Sequence, residues 1–159
     1  MMKLVHRAAG VAAMLLVASF WSSSIVAEIW LGPEGLLAVK RAIVYTIPLL
    51  IACVIAAGGS GTALARGRTG RLLAAKQRRM KISASLGLLV LLPAAVFLYR
   101  KAAVAEFDAA FHAVQAAELI AGLVQLVLFA RNARDGLRLA GRGSRRTATG
   151  TAAGLYAPE

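Results

Sequence analysis

Apolar residues in this chain come in long blocks parted by short charged segments, and four blocks stand out: 8–31, 42–65, 82–99 and 109–130. Each approaches or exceeds the roughly 20 apolar residues that a helix needs to cross a bilayer. The pattern predicts an all-α membrane protein. Residues 1–140 should form a four-transmembrane-helix antiparallel bundle, and the Gly, Ser, Thr, Ala and Arg of 141–159 a disordered tail.

Punctuation between the blocks refines the elements. Lys3 and Arg7 before the first block resemble the start of a secretory signal, but the apolar stretch exceeds the roughly 7–15 residues of such a signal, so a retained helix is expected. Gly32 and Pro33 end that block, and Pro33 with Glu34 behind it suits the first turn of a new helix. Lys40 and Arg41 are read as lying near the membrane surface. Kinks are expected at Pro48 and Pro93. Glu106 and Asp108 favour a helix start through its partial positive charge, and Arg131 and Asp135 are spaced to pair on one helical face.

Composition agrees with the blocks. Hydrophobic residues make up 59% of the chain, against roughly 45–50% in soluble domains. The formal charge of +12 could suggest a nucleic-acid partner, but Lys and Arg accumulate on the cytoplasmic side of membrane helices, so insertion alone accounts for it. With four spans, 15 of the 19 basic residues fall on one side, in the N-terminus, the middle loop and the tail. Only Lys40, Arg41, Arg100 and Lys101 fall on the other. This predicts cytoplasmic termini. The middle loop, with Arg66, Arg68, Arg71, Lys76, Arg78, Arg79 and Lys81, is the candidate contact for anionic lipid head groups.

Candidate chemistry is sparse. Cys53 stands alone inside an apolar block and reads as a packing residue, and no catalytic or metal-ligand constellation is present in the sequence. The glycines of Gly58-Gly59-Ser60-Gly61 lack the lysine of a phosphate loop; Ala57 and Gly61 instead give the small-x-x-x-small spacing of close helix packing. The fourth block carries a polar stripe. At about 100° per residue Gln115, Glu118, Gly122 and Gln125 fall within roughly 80° of arc, with His112 at its edge.

Glu118 lies near the middle of its block, where insertion scales charge about 2.5–3.5 kcal/mol for Asp, Lys or Arg. The stripe should therefore face the bundle interior, with Gly122 a packing position and Glu118 donating, if protonated, to a Gln or Ser across the bundle. It reads either as a ligand or proton site or as interhelical hydrogen-bond glue. Trp21 with Ser19, Ser22 and Ser23 could face it from the first helix. Two histidines, His6 and His112, raise bis-histidine haem ligation, but they lie at opposite ends of the proposed bundle, about 30 Å apart. A haem on His112 alone, or shared across a dimer, is the remaining cofactor option; otherwise none is expected.

Gly58-Gly59-Ser60-Gly61 with the basic loop after it, Lys76-Gln77-Arg78-Arg79-Met80 and Asn132-Ala133-Arg134-Asp135-Gly136-Leu137 together resemble uncharacterised small bacterial four-helix membrane proteins. The resemblance implies a bacterial inner membrane and no particular activity. The expected function is non-enzymatic, an accessory subunit or small-ligand-binding module using the bundle interior. The bilayer, a membrane-protein partner or a second copy are its expected partners, and nucleic acid is not. The alternative is a proton-coupled carrier or haem-bearing redox protein using Glu118 and His112.

Overall fold

The computed structural model describes residues 1–65 and 71–154, with side chains for 1–63, 74–75 and 77–136. Every regular element among them is helical: α1 (Met2–Val26), α2 (Gly32–Ala65), α3 (Arg71–Leu86), α4 (Leu92–Ala103) and α5 (Ala109–Gly154). Wider π-helical turns at Ala27–Leu31 and Gly87–Leu91 follow α1 and join α3 to α4. Among the described residues three helical runs are long and apolar enough to cross a membrane: Met2–Ala63, Gln77–Ala103 and Ala109–Gly136. In the expected tail, 141–159, the backbone of 141–154 continues α5 and 155–159 lie outside the described residues.

The first run is not one straight rod. Gly32 takes φ +63° and ψ −174°, a backbone conformation that residues with a Cβ rarely adopt, and Pro33 follows it in the first turn of α2. The chain reverses there, so α1 and α2 pack antiparallel. His6 donates to the carbonyl of Ala57 at 2.9 Å, and Lys40 Nζ lies 3.3 Å from Ser24 Oγ.

The two internal prolines behave differently. α2 passes through Pro48 as continuous helix, whereas Pro93 sits in the first turn of α4 directly after the π-helical turn Gly87–Leu91. A proline lacks the N–H and crowds the carbonyl four residues back, here that of Leu89, and a widened turn relieves both.

Apolar spans still need every polar backbone and hydroxyl group satisfied. Ser22 and Thr46 donate to carbonyls one turn back, Ala18 at 2.8 Å and Ala42 at 2.7 Å, which hides the hydroxyls without a partner helix. Large side chains including Ile55, Leu88, Leu89 and Ile120 point outward, as suits a lipid-facing surface.

A small core of Ala27, Leu36, Leu98, Ala102 and Phe111 gathers α1's end, α2, α4 and α5 near the turn at 104–108. Within that turn Ala105 is held at φ +54°. Asp108 Oδ1 accepts from the Phe111 N–H at 2.9 Å and so caps α5, as the acidic pair before this helix predicted. Lys101 Nζ reaches Glu106 at 2.7 Å and Asp108 at 2.9 Å.

Candidate functional site

The stripe on α5 faces inward. Gln115 is 3% exposed, Gly122 and Gln125 are buried, and the Glu118 side chain retains 12% exposure. The 3.6-residue period had put these four on one arc, and packing of α5 against α1, α3 and α4, with Lys40 reaching in from α2, buries that arc. His112, at the edge, lies apart from the rest. Its side chain is 57% exposed, and its Nδ1 lies 3.3 Å from Glu28 Oε1.

The partner of Glu118 corrects the reading of Lys40 as a surface residue. Lys40 is fully buried, and its Nζ meets Glu118 Oε2 at 2.5 Å with Ser24 Oγ at 3.3 Å. Glu118 therefore accepts a charge-assisted hydrogen bond from Lys40 where a donor to Gln or Ser had been expected. The reason lies in where α2 begins. With the helix starting at Gly32, Lys40 lies about two turns inside it, on the same face as buried Leu36 and Ile43.

Trp21 meets the stripe from α1, as expected, while its serine neighbours do not share that role. The Trp21 indole N–H donates to the Leu119 carbonyl at 2.9 Å, and a Cβ added at Gly122 would come within 2.9 Å of the ring. Gly122 is thus the notch that admits the indole. Ser22 and Ser23 bond to their own helix, and Ser24, which the sequence reading did not single out, faces Lys40.

Below this level Gln125 approaches Gly87 of the π-helical turn, 3.8 Å from where a Cβ there would lie. Neither amide atom of Gln115 has a hydrogen-bond partner among the described residues, nor does Gln125 Oε1.

Ala57 and Gly61, expected as packing positions, both meet His6 of α1. Ala57 supplies the carbonyl, and a Cβ at Gly61 would touch the imidazole at 3.0 Å. His6 and His112 lie at opposite ends of α1, since His112 contacts Glu28; along a helix the 6-to-28 separation is about 33 Å. Among the basic-loop residues, Arg66 and Arg68 lie outside the described residues, as do the side chains of Arg71 and Lys76. Arg78 and Lys81 are exposed, while Arg79 pairs with Asp135 of α5. Asp135 thus takes its partner across helices and not from Arg131, four residues back.

The assembled group is Lys40, Glu118 and Ser24 with Gln115 one turn above on α5 and Trp21 beneath. Its charges cancel. It can hydrogen-bond a polar species, and within it Lys40 donates both to Ser24 and to Glu118, so the lysine does not serve the Ser24 hydroxyl as a base in this arrangement. Comparison with protein-family models, curated proteins and solved structures found no match.

Proposed function

We propose that the chain is a multi-pass protein of the bacterial cytoplasmic membrane, a four-span antiparallel bundle with both termini cytoplasmic. In this reading it works without catalysis, as an accessory subunit or small-ligand-binding module, through its interior. The supporting observation is the buried Lys40–Glu118 pair beside the unpartnered amide of Gln115. A bundle that needs only to hold itself together gains little from such a pair, since replacing a buried ion pair with apolar residues is often neutral or stabilising by about 1–4 kcal/mol. An ion pair and an unpaired amide on one interior face are better suited to recognising something polar.

Two facts support the topology. The Met2–Ala63 run has 62 residues, about 93 Å of helix against a hydrocarbon core of about 30 Å, and it turns at Gly32, so it is read as two crossings. With Lys40 drawn inside, Arg41, Arg100 and Lys101 are the basic residues left on the side opposite the 15.

The test is purification from native membranes in mild detergent, with intact mass and absorbance measured on the wild type and on Lys40→Met/Glu118→Leu. The double variant should fold and lose a partner or small molecule that the wild type carries. Equal yields of a bare protein from both would leave only helix packing as the role of the pair. The second reading, a proton-coupled carrier or redox protein, draws on the His112–Glu28 contact near the start of α5. It predicts a Soret band, or a proton flux in liposomes that Glu118→Gln abolishes.

A further inference from the structure

Polar side chains line the α1–α5 seam. At the 104–108 end His112 and Glu28 are 57% and 28% exposed; deeper in, Gln115 is 3% exposed and Glu118 keeps 12%, and Lys40, reaching in from α2, keeps none. From His112 to Glu118 is about 9 Å along α5 and to Gly122 about 15 Å. At that depth the seam is stopped: the Trp21 indole lies in the Gly122 notch with its N–H on the Leu119 carbonyl. Leu36, Leu98 and Phe111 close the α2–α4 side, so the approach to the interior runs past His112 and Glu28.

We propose that this seam is a blind aqueous crevice, in which water enters between α1 and α5 at the 104–108 end, hydrates Gln115 and Glu118, and stops at Trp21. Gln115 carries the argument furthest. An amide at 3% exposure whose donor and acceptor both lack partners among the described residues is costly in an apolar interior. Gln115 and Glu118 are three residues apart, which sets their Cβ atoms about 5–6 Å from each other, and a water between the two side chains finds the several polar partners it needs.

This inference rests on the bundle reading above, and its test separates the two. Cys53→Ser removes the single cysteine. Single cysteines are then placed in that background and treated, from either side of sealed vesicles, with a small membrane-impermeant thiol reagent. Val104→Cys marks the turn and Gln77→Cys the opposite end. Gln115→Cys and Ser24→Cys should react from the Val104→Cys side and lose all reaction from the other. Gln125→Cys, beyond Trp21, should be unreactive from the Val104→Cys side until Trp21→Ala is added.

Folded Ser24→Cys protein that resists the reagent from both sides overturns the crevice, as does labelling from the Gln77→Cys side. Ser24→Cys is nearly isosteric, so the test survives a Gln115→Cys chain that does not fold. If Val104→Cys itself reacts from the cytoplasmic side, the proposed orientation fails while the crevice stands.

Discussion

Two lysines in this chain hold carboxylates at similar distances. Lys40 meets Glu118 at 2.5 Å in the bundle interior, and Lys101 meets Glu106 at 2.7 Å and Asp108 at 2.9 Å on the turn before α5. Lys40 is wholly buried and Glu118 keeps 12% exposure, while the carboxylates facing Lys101 are half exposed or more. Distance therefore says little about what each pair does. Taking Lys40 out of water, and Glu118 out of all but the crevice water, carries a desolvation cost that their attraction and the Ser24 contact must offset. Around Lys101 water and salt screen every charge, and losing one partner exposes nothing to a low dielectric.

The largest effect follows from breaking the interior pair on one side only. Glu118→Gln leaves the fully buried Lys40 ammonium without its partner and should lower stability by about 3–5 kcal/mol, read as thermal unfolding in mild detergent, and Lys40→Met, whose remaining carboxylate the crevice water reaches, should lower it by less. The double change Lys40→Met/Glu118→Leu should recover most of that loss, and added salt should not alter the order. Single variants as stable as the wild type would mean that the interior is wet enough to solvate a lone charge, and the contrast with Lys101 would collapse.

A middle-sized effect probes the packing beneath the pair. Gly122→Ala places a methyl where the Trp21 ring lies, so the indole must shift and strain its bond to the Leu119 carbonyl. Overpacking of this kind costs about 1–3 kcal/mol, and Trp21→Phe in the same chain should recover part of it by freeing space and removing the N–H. Additive losses in a double-mutant cycle would show that the two residues do not act on each other.

The sequence made one half of the interior legible and hid the other. Gln115, Glu118, Gly122 and Gln125 could be found because a polar stripe at helical spacing stands out against an apolar block. Lys40 could not be found so easily. A lysine at the edge of an apolar block looks like an interfacial anchor, and Arg41 beside it strengthens that impression. The available signal was its register, since Leu36, Lys40 and Ile43 recur at the spacing of one helical face and all three are buried. A second signal was the need of a mid-span acid for a base. The turn itself was legible, since Gly32 and Pro33 punctuate the blocks and α2 starts there, but an apolar block counted from 42 left out the turns of α2 that carry Lys40 inside.

The smallest effect is at the turn, where pH separates the two pairs' environments. The Lys101 ammonium, and after it the Phe111 N–H, donate to Asp108 and hold its carboxyl below the ordinary value of 3.8. A depressed pKa in the folded state means that the stabilisation is fully present above the unfolded value and is lost as pH falls through the folded one. Asp108→Asn keeps a side-chain oxygen for the Phe111 N–H but drops the charge, so it isolates the ion pair. The variant should therefore melt slightly below the wild type at neutral pH, with a gap that is constant down to about pH 5 and closes below the ordinary carboxyl value. Raising the ionic strength at neutral pH should narrow the same gap, because the pair is open to counter-ions. A gap that ignores both pH and salt would assign Asp108 to capping alone and leave Lys101 without an electrostatic part in holding the turn.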